Sequence, residues 1–114
     1  MATSTTALQP LLRPFRWTKS SLFDEALSLH TAGRIDQAIA RYRKALAIDP
    51  ENADIHNNLG VALVSKGKLG SAVTHYERAL ILNPVHFNAL NNLGTALVAQ
   101  GQFGEAVEHY PGAV

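Results

Sequence analysis

The chain repeats itself with a displacement of 34 residues. Residues 57–76 read NNLGVALVSKGKLGSAVTHY and residues 91–110 read NNLGTALVAQGQFGEAVEHY, which are identical at 13 of 20 positions. A period of this length is typical of helix pairs that stack into a solenoid, in which each pair buries its apolar face against the next. The repetition therefore predicts an all-α fold with an extended surface for contact.

The composition narrows the class of protein. The 114 residues are enough for at most one ordinary domain, and 46% of them are hydrophobic. Residues such as Lys66, Lys68 and Arg78 interrupt every apolar run before the roughly 18 residues of a membrane span. Ten basic residues are balanced by nine acidic ones, so the chain lacks the positive excess through which proteins bind nucleic acids. There is no cysteine. We expect a cytoplasmic protein that binds neither membranes nor nucleic acids.

Residues 1–18 carry no copy of the repeat. They are rich in Ser and Thr, contain Pro10 and Pro14, and include Arg13 and Arg16 but no acidic residue. This composition fits a disordered or loosely packed leader. It also shares the basic, acid-poor bias of organellar targeting peptides, although the prolines oppose a continuous amphipathic helix. Both interpretations stay open.

Capping residues and glycines predict where the first helices begin and end. Ser21 with Asp24 predicts a capping box, in which each side chain bonds a backbone N–H at the helix start. Gly33 ends this helix, because glycine tolerates the left-handed conformation of a helix stop. Gly67 and Gly101 hold the same place one and two periods later.

The second helix of each pair carries one apolar stripe, with apolar residues three and four positions apart. Pro50 and Pro84 mark the turn into the next pair. The stripe residues are Ile35, Ala38, Ile39, Tyr42, Ala45 and Leu46 in the first pair and Leu69, Ala72, Val73, Tyr76, Ala79 and Leu80 in the second. The chain then divides into a leader (1–18), a degenerate repeat one (19–52), repeat two (53–86) and a truncated repeat three (87–114).

The repeated positions resemble the tetratricopeptide repeat (TPR), a helix-turn-helix unit of 34 residues. The matching residues are Leu59, Gly60, Leu63, Ala72, Tyr76 and Pro84 in the second copy, Leu93, Gly94, Leu97, Ala106 and Tyr110 in the third, and Leu22, Ala26, Leu29, Ala38, Tyr42, Ala45 and Pro50 in the first. His56 replaces the usual Trp, and we expect it in the core or at the groove edge. Gly60 and Ala72 let two helices approach while Tyr76 fills the space beside them. The resemblance implies a right-handed solenoid of about two and a half to three repeats.

The resemblance also implies that the first helices of successive pairs line a concave groove that holds extended peptides. The groove residues would be Asp24, Leu27, Asn57, Asn58, Val61, Val64, Ser65, Asn88, Asn91, Asn92, Thr95 and Val98. Recurring asparagines can hydrogen-bond a peptide backbone whatever its side chains, similar to the asparagine ladder of O-linked N-acetylglucosamine transferase repeats. We favour this role for Asn58 and Asn92. Asparagine near a helix start can equally be a capping choice, and for Asn57 and Asn91 the two interpretations are even.

A second branch of the family grips acidic peptide tails with a carboxylate clamp of Lys, Arg and Asn. At the clamp positions this chain has Phe23, Leu27, Asn88 and Asn92, and only Asn58 matches. A captured carboxylate would lack a charged partner. The sequence therefore argues against this mode.

Five histidines raise the question of catalysis or metal binding. His75 has no His, Asp or Glu three or four residues away on one helix face, and Glu105 with His109 is an isolated pair. His30 and His86 have no evident partner. No phosphate loop or Ser-His-Asp set is present, so the sequence predicts no enzyme, no catalytic residue, no metal and no cofactor.

The third repeat departs from the pattern at Pro111, which should shorten its last helix. A solenoid usually ends in a polar capping helix, and none follows here. The apolar face around Leu90, Leu97, Val107 and Tyr110 is therefore covered by self-association, belongs to a longer parent, or leaves the domain marginally stable. Of these alternatives we hypothesise some self-association, because the face is uncovered, and the other two stay open.

Taken together, these patterns predict a non-enzymatic adaptor that binds an extended peptide of another protein in its groove. The first alternative is the N-terminal substrate-docking region of a larger enzyme such as a glycosyltransferase. The second is a purely structural assembly module that acts through its helix faces.

Overall fold

The computed structural model of the protein describes residues 18–101, apart from the side chain of Lys19. The described residues form five helices, namely α1 (Lys19–Thr31), α2 (Ile35–Ile48), α3 (Ala53–Ser65), α4 (Leu69–Leu82) and α5 (Phe87–Ala99). The predictions for residues 1–17, for the second helix of repeat three and for Pro111 lie outside the described residues, as does the pair Glu105 and His109. In the part that is described, no helix is long and apolar enough to cross a membrane.

Helix α1 begins three residues earlier than the capping box predicted. Thr18 is the N-cap: its hydroxyl accepts from Ser21 N at 3.1 Å, and Ser21 Oγ accepts from Thr18 N at 3.0 Å. The prediction that Ser21 caps the helix with Asp24 was therefore wrong, because Ser21 is the third helical residue. A serine hydroxyl supplies the reciprocal bond that is usually sought from Glu or Gln.

The other helix ends follow the repeat. Asn52 Oδ1 accepts from Ile55 N at 3.1 Å at the start of α3, and His86 Nδ1 accepts from Ala89 N at 3.1 Å at the start of α5. The three predicted stop glycines have φ of 81°, 74° and 76°, which confirms the left-handed ends of α1, α3 and α5; they are Gly33, Gly67 and Gly101.

The helices stack in order along the chain. Helix α1 packs against α2 and α3 against α4, while α2 with α3 and α4 with α5 form the contacts between pairs. The first helices α3 and α5 also contact each other. The buried core includes Ala38, Ile39, Tyr42, Ala45, Ala72, Tyr76 and Ala79 from the predicted stripes and Leu22, Ala26, Ile55, Leu59, Leu63, Leu93 and Leu97 from the first helices. The outer stripe positions, such as Ile35 and Leu80, are partly buried against this core.

Gly60 is required by the tyrosine that packs on it. A Cβ atom built at Gly60 would lie 2.4 Å from Cε1 of Tyr76. No real Cβ tolerates such a distance, so glycine here allows α3 and α4 to approach with the ring between them. This confirms the predicted packing of the pair.

Candidate functional site

The twelve predicted groove residues lie on the three first helices, and we call them the groove face. Helix α1 carries two of them, α3 five and α5 five, namely Asp24 and Leu27, then Asn57, Asn58, Val61, Val64 and Ser65, then Asn88, Asn91, Asn92, Thr95 and Val98. The direct contact between α3 and α5 brings the last two groups together. The groove face is therefore a surface shared between repeats.

Three asparagines of the groove face form a hydrogen-bonded chain. Asn92 Nδ2 donates to Asn57 Oδ1 at 3.0 Å, and Asn57 Nδ2 donates to Asn58 Oδ1 at 3.2 Å. Asn57 is only 5% exposed, whereas Asn58 and Asn92 are half-buried. Among residues 18–101, the Nδ2 group of Asn58 and the Oδ1 atom of Asn92 have no further hydrogen-bond partner. The three asparagines thus join α3 to α5. They leave a free donor on Asn58 and a free acceptor on Asn92.

The other polar, uncharged residues of the groove face take no part in this chain of hydrogen bonds. Ser65 Oγ donates to Val61 O at 3.3 Å and Thr95 Oγ1 donates to Asn91 O at 3.0 Å, so both hydroxyl groups are engaged by their own helices. The side chains of Asn88 and Asn91 are exposed. The sequence equivalents Asn57 and Asn91 therefore occupy different environments.

Apolar side chains flank the asparagines. Leu27 and Val64 are each 38% exposed and Val98 is 49% exposed. Val61 is half-buried and packs against the core. Val64 and Val98 are one 34-residue period apart, so an exposed valine recurs at the same position on α3 and α5. Contact with a partner would remove this surface from water at a gain of about 25 cal/mol per Å².

The groove face is nearly neutral. Asp24 is its only charged residue, and this carboxylate is exposed. The neighbouring Glu25 pairs with Arg41 of α2. Phe23, at the position of the clamp's first lysine, packs against the core with its ring centroid 6.1 Å from that of Tyr42. Nothing at the clamp positions supplies a cation for an acidic peptide tail.

A pair of histidines that the sequence did not predict joins α3 to α4. His56, on α3, is 8% exposed, and its Nδ1 atom lies 3.1 Å from His75 Nδ1 on α4. The rings stack with centroids 5.3 Å apart. His56 Nε2 lies 2.9 Å from the carbonyl oxygen of Pro50 and must donate to it. His56 Nδ1 is then the acceptor and His75 Nδ1–H the donor.

The environment of His75 opposes its positive charge. Burial lowers the pKa of His75, and the charges of His56 and Arg43 lower it further. The expectation that His56 lies in the core or at the groove edge is confirmed, since this residue is buried. His75 has a partner that no local spacing on α4 could reveal.

His86 and His30 also have partners, contrary to the sequence prediction. His86 Nε2 lies 2.7 Å from Asp54 Oδ1, and the imidazole is 9% exposed. Because His86 Nδ1 accepts the Ala89 N–H, the neutral ring donates from Nε2 to the carboxylate. The ring of His30 meets that of Tyr42 edge-on at 6.4 Å. The sequence prediction missed the contact of His86 because its partner Asp54 is 32 positions away in the sequence.

Metal ligands are not clustered in the described residues. No group of three or more His, Asp or Glu side chains within residues 18–101 is placed to hold a metal ion. The two-histidine pair of α3 and α4 is used instead to hold the helices together.

The fold and the groove face define a class of protein, a helix-pair solenoid whose first helices present a shared, nearly neutral surface. The family model described as TPR repeat matches residues 26–65 and 62–101, and the chain belongs to this family. Among curated proteins, no sequence matches the chain significantly.

Solved structures share the fold. The second TPR of Spaghetti (RPAP3), bound to the HSP90 peptide SRMEEVD, aligns with a TM-score of 0.77 at 25% identity, covering 82% of this chain and 86% of that chain. The Sgt2 TPR domain from Aspergillus fumigatus aligns with a TM-score of 0.77 at 26% identity, covering 82% of this chain and 62% of that chain. MamA aligns with a TM-score of 0.79 at 22% identity, covering 82% of this chain and 55% of that chain, and shows the fold alone. The chain thus spans less than two thirds of the Sgt2 and MamA structures.

Proposed function

We propose that the protein is a non-enzymatic interaction module that binds an extended segment of another protein along the groove face. The observation that carries this proposal is the asparagine chain across α3 and α5, flanked by exposed valines. Asn58 and Asn92 keep a donor and an acceptor for the backbone of a bound segment, while Val64 and Val98 receive apolar side chains.

The chemistry of the partner follows from the charge of the groove face. The Spaghetti structure holds the HSP90 peptide SRMEEVD, which has three acidic residues among its last four. Here the clamp positions carry no Lys or Arg, so a terminal carboxylate would lose its hydration without gaining a cation. We therefore expect a neutral or weakly basic segment with apolar side chains. With so few repeats its affinity should be on the order of micromolar.

The test removes the two asparagine contacts. Peptides are first selected by phage display on the wild-type protein, and their affinity is measured by fluorescence anisotropy. Asn58→Ala combined with Asn92→Ala should weaken binding by about 5- to 150-fold, since each lost hydrogen bond is worth about 0.5–1.5 kcal/mol. Unchanged affinity would refute the proposal that peptides bind along the groove face.

A second pair of substitutions separates binding from stability. Asn92→Ala leaves the buried Oδ1 atom of Asn57 without its donor, which lowers stability as well. Val64→Ser with Val98→Ser alters only exposed side chains and should weaken the same peptides without lowering the melting temperature. Gln37→Ala is the matched control, because it removes an exposed amide from α2 and leaves the groove face intact.

A further inference from the structure

Asn57 differs from every other asparagine of the groove face by its burial and by the use of both ends of its amide. Its Oδ1 atom accepts from Asn92 and its Nδ2 group donates to Asn58. Its equivalent one repeat later, Asn91, is exposed. Asn57 is thus almost wholly covered by its neighbours, yet bonded to the two residues that would contact a peptide in the groove.

We propose that Asn57 is a positioning residue, which touches no peptide but fixes the amide orientations of Asn58 and Asn92. In this arrangement Asn58 presents its Nδ2 donors to the groove and Asn92 presents its Oδ1 acceptor. The inference rests on the proposed function, because it names the residue that sets how the same site recognises a peptide backbone.

The physical reason is the freedom of an asparagine amide. Its terminal torsion is broad and roughly two-fold, so an unrestrained side chain exchanges its oxygen and nitrogen by a half-turn. A peptide would then meet a donor or an acceptor at random. Because Asn57 is 5% exposed, its own amide cannot turn and replace lost bonds with water.

The two hydrogen bonds oppose a turn of either outer amide by itself. If Asn92 turned, two carbonyl oxygens would face each other at Asn57, and if Asn58 turned, two NH₂ groups would do so. Both arrangements lose a hydrogen bond beside a buried group. A bound segment therefore offers a carbonyl oxygen near Asn58 on α3 and an N–H near Asn92 on α5.

Asn57→Asp is the informative substitution, because it keeps the shape, replaces the NH₂ donor with an acceptor and adds one negative charge, which Gln37→Glu adds as well. The new carboxylate still accepts from Asn92 Nδ2 but cannot donate to Asn58 Oδ1. Asn58 should then turn, donate its Nδ2 group to the carboxylate and present its oxygen to the groove. Asn58 then offers an acceptor to the peptide in place of a donor, whereas Asn92 still offers its acceptor.

Side-chain amide hydrogen exchange, measured by NMR on the full chain with labelled asparagine, reads this change without a ligand. In the wild type, the NH₂ groups of Asn57 and Asn92 should exchange more slowly than that of Asn58. In Asn57→Asp the Asn58 group should become slow and the Asn92 group should stay slow. Gln37→Glu, the same chemical change on exposed α2, should alter neither. An Asn58 group already as slow as that of Asn57 in the wild type, or unchanged in Asn57→Asp, overturns the inference.

Peptide binding then separates the inference from the proposed function. Peptides selected by phage display on the wild type should bind Asn57→Asp at least tenfold more weakly and Gln37→Glu equally well. Equal binding to Asn57→Asp overturns the positioning role alone, whereas failure to select any groove peptide overturns the proposed function and the inference with it. If Asn57→Asp does not fold, Asn57→Ala decides: the Asn92 group should then exchange as fast as that of Asn58, and unchanged exchange is a contrary result.

Discussion

The Nδ1 atoms of His56 and His75 lie 3.1 Å apart, and only one of them can carry a proton. His56 already donates from Nε2 to the Pro50 carbonyl, so its Nδ1 lone pair is the acceptor of the pair. Two protonated rings would place two N–H groups face to face. The contact between α3 and α4 therefore depends on at least one neutral histidine.

The protein should lose stability as pH falls below about 6.5, the ordinary histidine pKa. Burial lowers the pKa of His75 in the folded protein, so the unfolded chain takes up this proton first. Stability is then fully present above the unfolded pKa and is lost as pH falls through the folded pKa. Each tenfold difference in proton affinity corresponds to about 1.4 kcal/mol. Chemical denaturation between pH 5 and 8 measures the slope.

His75→Gln provides the control for this pH dependence. The glutamine amide can donate to His56 Nδ1, yet it does not titrate. The variant should therefore have a flatter dependence of unfolding free energy on pH between 5 and 7. A slope equal to that of the wild type would assign the effect to other groups.

His86 should stabilise the start of α5 by two contacts. Its Nδ1 atom caps the helix at Ala89 N and its Nε2 group donates to Asp54 Oδ1. Removing a side-chain cap costs about 0.5–2 kcal/mol, so His86→Ala should lower the unfolding free energy by roughly this amount. Asp54→Ala, which keeps the cap and removes only an exposed carboxylate, should cost less. Equal losses would show that the hydrogen bond to Asp54, and not the cap, stabilises the junction.

Two glycines should respond oppositely to the same substitution. Gly60→Ala puts a Cβ atom against the Tyr76 ring and should destabilise by about 1–3 kcal/mol, the usual cost of overpacking. Gly70 lies in α4, where the nearest atom to an added Cβ is Gln100 Nε2 at 3.9 Å. Gly70→Ala should therefore stabilise by about 0.4–1 kcal/mol through helix propensity and lower chain entropy. Thermal unfolding of both variants checks the contrast, and a stabilising Gly60→Ala would contradict the packing.

The repeat allowed the helices, the glycine stops and the approach of Gly60 to Tyr76 to be predicted, because each depends on residues at fixed places in one period. It could not predict the environment of individual polar residues. Asn57 and Asn91 are the same residue type at the same position of the repeat. In the described residues only Asn57 has the first helix of the next repeat, α5, packed beside it. Burial at this position is set by the neighbouring repeat.

The histidine contacts were missed for a different reason. The search for metal partners considered neighbours on one helix, whereas His56 and His75 meet across a helix pair. A search by repeat position would have found them, since His56 replaces the large residue that packs against the second helix. The Thr18 cap was missed because serine at the third helical position is a weaker sequence signal than Glu or Gln.

Tyr42 should tolerate the loss of its hydroxyl group. The ring is fully buried, and its Oη atom has no hydrogen-bond partner among the described residues. Burial raises the pKa of Tyr42 to about 12, which agrees with a hydroxyl removed from water. Tyr42→Phe keeps the ring contacts with Phe23 and His30 and removes only the unsatisfied group. The unfolding free energy should stay within about 0.5 kcal/mol of the wild type or rise, because a buried unpaired polar group is itself costly.

Tyr42→Ala, which removes the ring as well, should cost about 3–5 kcal/mol. Urea denaturation of the two variants measures both values, and a loss above about 1 kcal/mol for Tyr42→Phe would show that the hydroxyl is hydrogen-bonded in solution.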